Sequence, residues 1–355
     1  MIAAVLTRFG DPEALRILDV PVPLPGRGEV LVRVSAAAMN NTDIWTREGA
    51  YGLPGRPEAH AGWRGPIGFP RIQGADFAGS VVGLGDEVDA AWDGRRVLVD
   101  PALYDGDGPD SHPVGLLGSE ADGGFAQYVA VPVERVHDMT ASPLSDEELA
   151  CLPVAYGTAL GMLDRARVEP GETLLVTGAS GGVGLALVQL AAARGARVIA
   201  LTTESKSGLV RQAGAHAVIS RDVAGSAAGT ITAAIRDLAP EGLDAVADVV
   251  GGAIVADALP AVRDGGRWVV AGAVADPVIA FDLRRLYLHN ISLIGSSMHT
   301  PAHFDALAAA AVEGAIVPRV AARYELRDIH AAQADFLKRT HVGKVVLIPG
   351  PTPST

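Results

Sequence analysis

The chain has 355 residues, which is beyond the size at which a single hydrophobic core keeps growing, so we expect two domains. Hydrophobic residues make up 49% of it and charged residues 20%, with 42 Gly and 23 Pro, a composition that favours an α/β protein with many tight turns. The formal net charge of −12 argues against nucleic acid or an anionic membrane as a partner. An anionic ligand therefore needs a local cationic pocket.

Three further exclusions follow from the residue pattern. No stretch reaches about 18 uninterrupted apolar residues, so no membrane span is predicted. Met1 leads into the strand-like AAVLTRF without the pattern of a secretory signal, and we expect a cytoplasmic protein. The single cysteine, Cys151, cannot form an intramolecular disulfide, and its apolar surroundings, LACLPVAYG, predict a buried, inert thiol.

Residues 1–135 read as short strands separated by Gly/Pro turns. The strand patterns include EVLVRVSAAA, GSVVGLG, RRVLVDP and FAQYVAVP. Two irregular stretches, 53–70 and 102–124, are too long and too rich in Gly and Pro for ordinary connections. They are candidate lids or site walls, with surface decoration as the alternative.

The pattern changes near residue 145. Ser145 and Glu148 form a capping-box signature that predicts the start of a helix running towards Leu163. From Glu172 onward six apolar strand patterns alternate with helical ones, which predicts a doubly wound parallel sheet. The predicted domains are a dinucleotide-binding domain over 136–297 and a β-rich domain made of 1–135 and 298–355.

A glycine loop stands between the first strand and the first helix of that sheet. It reads TGASGGVG, from Thr177 to Gly184. Ala179 takes the place of the first glycine of a dinucleotide fingerprint, Gly181 allows the backbone to approach a pyrophosphate, and Gly184 allows close packing of helix on strand. The predicted cofactor contacts in the loop are Ala179, Ser180, Gly181, Gly182, Val183 and Gly184.

The residues after the next two strands favour NADPH over NADH. Thr202 stands where an NAD-type fold offers an acid to the ribose hydroxyls. Lys206 follows it, and Arg221 follows the third strand, so two cations could accept a 2′-phosphate. Glu204 is an opposing charge that must point away, and ordinary solvated surface is the alternative for both cations.

The whole chain resembles the medium-chain dehydrogenase/reductase superfamily. The resemblance is carried by the β-rich first domain, the mid-chain glycine motif and the ending HVGKVVLIP, while the loop sequence ASGGVG is similar to the zinc-free quinone oxidoreductase branch. It implies a GroES-like catalytic domain beside a Rossmann domain, a homodimer formed at the last strand, ISLIGS, and Lys344 as a further cofactor contact. Short-chain dehydrogenases fit poorly, since this chain has no Tyr-x-x-x-Lys.

The polar run AMNNTDIWTREGAYG acquires a meaning from this resemblance. In zinc alcohol dehydrogenases of the superfamily a Cys ligand occupies the position of Asn40, and a His ligand occupies the position of Ala75, while the third ligand position falls near Val154. Amide, methyl and isopropyl groups cannot replace thiolate and imidazole, so we expect no catalytic zinc. Local chemistry alone favours an Asx-rich turn instead.

Without a Lewis acid, reduction of a quinone or of an activated C=C bond is easier than alcohol oxidation. The resemblance places Asn40 and Tyr51 at the site, where an amide and a phenol suit a developing enolate oxygen, and Thr158 near the nicotinamide. Two alternatives stay open: a zinc-independent alcohol dehydrogenase of the same fold, and a non-catalytic NADPH-binding protein.

Histidines offer a competing source of protons. His299 follows the last Rossmann strand pattern and is a candidate site wall, whereas His60 and His112 are expected to be bystanders in the two long loops. The acidic residues of 105–110 beside His112 predict a flexible acidic loop rather than a metal site, since calcium-loop spacing is not met.

Overall fold

The structure is a computed structural model and describes residues 1–224 and 229–350. The chain forms two compact units, Met1–Val154 with His299–Thr355, and Ala155–Met298. The predicted domain limits at 135/136 and 297/298 stay a prediction, and residues 225–228 and 351–355 of the predicted domains lie outside the described part. No helix in the described ranges is long and apolar enough to cross a membrane.

The first part of the chain is built mainly of short strands. Its elements are β1 (Ile2–Leu6), β2 (Leu15–Asp19), β3 (Glu29–Ala38), α1 (Asn41–Glu48), β4 (Arg71–Ile72), β5 (Asp76–Leu84), β6 (Arg96–Val99), β7 (Ala102–Tyr104), β8 (Pro113–Leu116), β9 (Tyr128–Pro132), β10 (Val136–Asp138) and α2 (Asp146–Ala150).

Strands and helices alternate in the middle part of the chain. Its elements are α3 (Pro153–Arg165), β11 (Thr173–Val176), α4 (Gly182–Ala193), β12 (Arg197–Thr202), α5 (Ser207–Gln212), β13 (Ala217–Ser220), α6 (Arg221–Ala224), α7 (Thr230–Leu238), β14 (Leu243–Asp248), α8 (Ala253–Ala258), β15 (Val262–Val270), α9 (Leu283–Leu288) and β16 (Ser292–Gly295).

The last part of the chain returns to the first unit. Its elements are α10 (Pro301–Glu313), β17 (Val320–Glu325), α11 (Ile329–Leu337) and β18 (Lys344–Ile348). Strands β10, β6, β5, β3, β18 and β17 lie side by side in that order, and β9 also pairs with β3. Their alternating apolar residues bury a core that includes Phe77, Phe125, Met39 and Leu347. The predicted β-rich unit is confirmed.

The second unit is a parallel sheet with the order β13-β12-β11-β14-β15-β16. All five strand pairs are parallel. The strand order reverses direction between β11 and β14, and ligands of open α/β sheets bind at the carboxyl ends of the strands at such a point. The predicted doubly wound Rossmann sheet is confirmed.

The predicted helix after Ser145 is interrupted. Ser145 and Glu148 do form the capping box, but α2 ends at Ala150 and a separate helix, α3, starts at Pro153. Proline lacks an N–H and disfavours helical geometry in the residue before it, which explains the break at Leu152.

Candidate active site

Three central strands of the first unit bring together residues that are far apart in sequence. Ala38, the last residue of β3, lies opposite Asp76, the first residue of β5. Val346 of β18 lies opposite Ala38 on the other side. Because β18 starts two residues earlier, at Lys344, its side chain reaches the same place as Asn40, which follows β3.

These residues form a buried polar cluster, here called the Lys344 centre: Asn40, Asp43, Asp76 and Lys344. Lys344 Nζ donates to Asn40 Oδ1 at 2.5 Å and to Asp76 Oδ2 at 2.8 Å. Asn40 Nδ2 donates to Asp76 Oδ2 at 3.0 Å and more weakly, at 3.4 Å, to the Ala38 carbonyl. The Lys344 side chain is 5% exposed and that of Asp76 is fully buried.

Asp43 contributes a second carboxyl group to the Lys344 centre. It lies in the first turn of α1 and accepts a hydrogen bond from the Asn40 backbone N–H at 2.7 Å. Burial raises the pKa of Asp43 to about 7, and the charge of Asp76 acts in the same direction. Near neutral pH this carboxyl group therefore exchanges a proton, while most aspartates stay ionised.

The polar run 40–43 is a helix start rather than an extended segment. Asn40 precedes α1, and Asn41 is its first residue and is exposed. The local interpretation of a polar run that ends a strand is thus realised in part. Tyr51 returns to this helix, where its hydroxyl donates to Thr42 Oγ1 at 2.7 Å, and burial raises the pKa of Tyr51.

The structure gives the predicted catalytic residues clear positions and leaves their roles as predictions. Both amide hydrogens of Asn40 are already directed to acceptors, so a substrate oxygen can bind only if it replaces one of these acceptors. The weaker of the two contacts is the one of 3.4 Å to the Ala38 carbonyl. Thr158 lies in the second unit, on α3, with its Oγ1 3.9 Å from Met298 Sδ.

The glycine loop joins β11 to α4 in the predicted place. A Cβ on Gly184 would lie 2.1 Å from the Gly178 carbonyl oxygen, so only glycine permits this approach of the helix to the loop. Gly181 precedes the first turn of α4 and no side chain caps the helix. The first N–H groups of this 12-residue helix and the adjacent loop backbone therefore suit a pyrophosphate.

Asp248, at the end of β14, fixes the loop. Its carboxylate accepts hydrogen bonds from Thr177 Oγ1 at 2.6 Å, from the Val250 N–H at 2.8 Å and from Trp268 Nε1 at 3.2 Å. Sequence reasoning did not identify this role of Asp248. An aspartate that ends an apolar strand of a sheet with a glycine loop could have indicated it.

The predicted 2′-phosphate residues gather at the ends of β12 and β13. Thr202 and Ser220 are paired across these strands. Ser220 Oγ is buried without a hydrogen-bond partner among the described residues. Burial, together with the nearby charge of Arg221, lowers the pKa of Lys206, so the two cations lie close together. Asp222, which accepts from the Glu204 N–H at 3.2 Å, is an opposing charge nearby.

His299 occupies a second buried polar cluster in the first unit. Its Nε2 lies 2.9 Å from Asp100 Oδ1, and the side chains are 0% and 5% exposed. Tyr104 donates to the other oxygen of Asp100 at 2.7 Å. Burial alone would raise the pKa of Asp100, but His299 and these hydrogen bonds lower it. Cys151 is buried, and burial raises the pKa of its thiol to about 12.

The three positions that match zinc ligands in the resemblance meet around Asp76. Asn40 donates to its Oδ2, the Val154 N–H donates to its Oδ1 at 2.8 Å, and Ala75 precedes it in the chain. In the two described ranges no group of three or more His, Cys, Asp and Glu side chains is placed to hold a metal ion. The side chains at these three positions end in an amide, a methyl and an isopropyl group, and neither alkyl group can bind a metal.

Asp76 and the true surroundings of Lys344 were missed by sequence reasoning. Sequence reasoning assigned no role to Asp76, and it predicted that Lys344 contacts the cofactor. The structure shows that the two form an ion pair, which no local pattern could reveal because they are 268 residues apart. The cofactor contact of Lys344 stays a prediction.

The sequence matches two protein families over most of its length. Residues 26–141 match the family described as alcohol dehydrogenase GroES-like domain, and residues 182–313 match zinc-binding dehydrogenase. The acryloyl-coenzyme A reductase of Metallosphaera sedula is 31% identical, over 95% of this chain and 97% of that protein. The quinone oxidoreductase of Mus musculus is 30% identical, over 96% and 95% respectively.

Solved structures agree with this assignment. A putative alcohol dehydrogenase from Sinorhizobium meliloti 1021 superposes with a TM-score of 0.94 at 44% identity, covering 99% of this chain and 97% of that one. A mycobacterial protein complexed with NADPH superposes with a TM-score of 0.80 at 29% identity, covering 98% and 100%. The chain belongs to the medium-chain dehydrogenase/reductase superfamily. It is an oxidoreductase with a GroES-like unit and a Rossmann unit, of a family that uses a nicotinamide cofactor.

Proposed function

We propose that this protein is an NADPH-dependent, zinc-independent reductase of quinones or of activated C=C bonds such as enones and enoyl thioesters. The observation that carries the proposal is the Lys344 centre. It puts an ammonium and a carboxylate beside the amide of Asn40, whose position matches a zinc ligand in the resemblance. This donor set suits a reaction that develops negative charge on oxygen.

The preference for NADPH is supported by the ends of β12 and β13. Thr202 and Ser220 are register partners at the ends of these parallel strands, and the charges of Lys206 and Arg221, which follow the two strands in sequence, lie close to each other. A 2′-phosphate offers acceptor oxygens for the unpartnered Ser220 hydroxyl and negative charge for both cations. NADH carries a ribose 2′-hydroxyl in place of the phosphate and would bring no negative charge to these cations.

The glycine loop supports binding of the dinucleotide itself. The proposed contacts, Ala179 to Gly184, lie at the start of α4, which has no side-chain cap, and the close packing of Gly184 holds the helix against the loop. The first N–H groups of the helix are the proposed site of the pyrophosphate. When bound, the cofactor would supply a hydride to the electron-poor carbon of the substrate. Asn40 and Tyr51 are proposed to stabilise the enolate, and Thr158 to pack near the nicotinamide.

A zinc-independent alcohol dehydrogenase is the second candidate. In its favour, the Sinorhizobium meliloti protein whose structure is 44% identical in sequence is a putative alcohol dehydrogenase. Reduction of NADP⁺ by a panel of primary and secondary alcohols discriminates the two. We expect it to be far slower than NADPH oxidation by an activated double bond, because no Lewis acid supports the alkoxide.

The test of the proposed function is a screen of NADPH oxidation at 340 nm against quinones, enones and enoyl thioesters. We expect one of these classes to be reduced, with activity that survives dialysis against a strong chelator. Elemental analysis of the same sample is expected to find no stoichiometric zinc. One tightly bound zinc per chain, or reaction with alcohols alone, would contradict the proposal.

We further propose a homodimer, formed at β16, in a cytoplasmic protein. β16 is the last strand of the parallel sheet, and among the described residues it pairs only with β15. Leu293 in β16 is 44% exposed, and Leu283, Tyr287 and Leu288 in the preceding α9 are 62–64% exposed. An exposed apolar strand edge pairs readily with a second copy. A monomeric mass at all concentrations, measured by sedimentation, would contradict it.

A further inference from the structure

We propose that Lys344 is a catalytic residue of this reductase: its ammonium group donates a hydrogen bond, and then a proton, to the substrate carbonyl oxygen as that oxygen becomes an enolate. The inference rests on the proposed function and deepens it. It also gives Lys344 a role different from the cofactor contact that the sequence suggested.

The first argument is a count of donors. An ammonium group has three N–H bonds, and Asn40 Oδ1 and Asp76 Oδ2 accept two of them, at 2.5 and 2.8 Å. Across residues 1–224 and 229–350 no acceptor takes the third. Asn40 has no such spare donor, because both of its amide hydrogens are directed to Asp76 and Ala38. Within the Lys344 centre the ammonium therefore has the free N–H bond for a substrate oxygen.

The second argument concerns charge. Lys344 and Asp76 form an ion pair that is 5% and 0% exposed, and burying such a pair costs about as much as its attraction returns. A stable fold alone does not require it. In addition, the pKa of Asp43 is raised to about 7, so this neighbouring carboxyl group is partly protonated near neutral pH and does not fully cancel the ammonium charge.

The third argument is position. Two of the three positions that match zinc ligands, Asn40 and Val154, donate hydrogen bonds to Asp76, which in turn holds the Lys344 ammonium. A metal at such a place polarises the substrate oxygen as a Lewis acid. An ammonium group supplies positive charge to the same oxygen and can also transfer a proton.

The step balances for an enone as follows. The bound cofactor would supply a hydride, with its two electrons, to the β-carbon and be oxidised. The π electrons of the C=C bond form a new double bond between the α-carbon and the carbonyl carbon, and the π electrons of the C=O bond move onto the oxygen. The Lys344 N–H bond breaks and an O–H bond forms, which gives the enol, and the neutral amine regains its proton from water. Asp76 and Asn40 hold Nζ in place throughout.

The experiment compares Lys344→Met with Lys338→Met, whose lysine is 64% exposed and pairs only with Asp335 three residues earlier among described partners. On the acceptor found in the screen, K344M is expected to lower turnover about a hundredfold to a thousandfold, the usual effect of losing one oxyanion donor. K338M is expected to stay within twofold of wild type. NADPH binding, followed directly by fluorescence titration, is expected to change less than threefold in both variants.

Two further variants separate chemistry from folding. K344M alone leaves the buried Asp76 carboxylate unpaired and could destabilise the protein. K344M/D76N removes both buried charges and is expected to keep the fold. Its turnover is expected to be as slow as that of K344M. Lys344→Ala leaves space where the side chain was, and added methylammonium or ethylammonium is expected to restore at least tenfold of the lost rate. A purely structural lysine would not show rescue that depends on the amine.

The outcomes separate the two proposals. A wild-type protein that oxidises NADPH while K344M, or K344M/D76N, turns over within threefold of it overturns the role of Lys344 alone. A tenfold weaker NADPH affinity with unchanged turnover shows a cofactor contact and also overturns it. Failure of the wild type with every class of acceptor overturns the proposed function, and the catalytic role falls with it.

Discussion

The first unit buries two polar clusters that differ in the number of carboxyl groups that each contains. In the cluster of Asp100, His299 and Tyr104 one carboxylate receives hydrogen bonds from the imidazole side and the phenol side, and the pKa of Asp100 is lowered despite burial. In the Lys344 centre one ammonium faces two carboxyl groups, and the pKa of Asp43 is raised to about 7.

The difference shows that burial alone does not decide the protonation of a group. Donors and opposite charges do, since both aspartates are removed from water. In the Asp100 cluster both oxygens of the carboxylate accept hydrogen bonds, which indicates a structural role. The Lys344 centre keeps a carboxyl group that titrates near neutral pH and an ammonium group with one unused N–H bond. The second arrangement suits chemistry, and the comparison can be tested from both sides.

The largest expected effect is on the stability of the fold when the Asp100 cluster is broken. His299→Leu leaves Asp100 buried without its partner, and breaking such a pair typically costs about 3–5 kcal/mol in the free energy of unfolding. The measurement is urea denaturation. Arg95→Ala serves as the control, because the Arg95–Asp138 pair is 45% and 40% exposed and is expected to contribute less than about 1 kcal/mol. Equal losses of unfolding free energy in the two variants would contradict a structural role of the Asp100 cluster.

The next effect is on the pH dependence of stability. Asp43 ionises near 3.8 in the unfolded chain and near 7 in the folded one, so between these values the folded state holds the extra proton. Wild-type stability should therefore fall as pH rises from about 4 to 7, by up to about 1.4 kcal/mol per pH unit, relative to Asp43→Asn. A flat difference between the two proteins across this range would refute the raised pKa.

Asp100 should behave in the opposite sense. Because its folded pKa is lowered, its ionised form stabilises the fold above the ordinary aspartate pKa, and this contribution is lost as pH falls through the folded value. Asp100→Asn should hence lose stability most at neutral pH and approach wild type in acid. The same denaturation series measured on both variants tests the contrast directly.

A third effect concerns turnover at the Lys344 centre. Asn40→Ala removes the acceptor that holds Lys344 and a proposed enolate donor, so turnover should fall about a hundredfold, or about 3 kcal/mol, with NADPH affinity nearly unchanged. Tyr51→Phe should act in the same direction. Asn41→Ala is the matched control, since Asn41 is exposed on α1. Single-turnover rates of Asn40→Ala within about threefold of wild type would contradict the proposal that Asn40 stabilises the enolate.

The sequence could predict the Rossmann unit because its signals are local. Six apolar strands, the glycine loop and the Ser145 capping box each depend on residues within a few positions of one another. The break before Pro153 and the helical start at Asn41 were missed, since a capping pattern and a polar run do not set the length of an element.

The polar clusters could not be predicted, because they depend on strand register. Asn40 and Asp76 are 36 residues apart, Asp76 and Lys344 are 268 apart, and Asp100 and His299 are 199 apart. Asn40, Asp76 and Lys344 come together because β3 pairs with β5 and with β18. The resemblance identified Asn40 as important, yet its partners became visible only in three dimensions.

The central claim, a reductase that uses NADPH, is tested most directly by equilibrium binding of NADPH and NADH to wild type and to Arg221→Ala. Loss of one charge-assisted phosphate contact costs about 1.5–3 kcal/mol, so the variant should bind NADPH roughly tenfold to 150-fold more weakly and NADH almost unchanged. Arg211→Ala, an exposed arginine on α5, should alter neither. Wild-type protein that binds both cofactors equally, or NADH more tightly, would contradict the account.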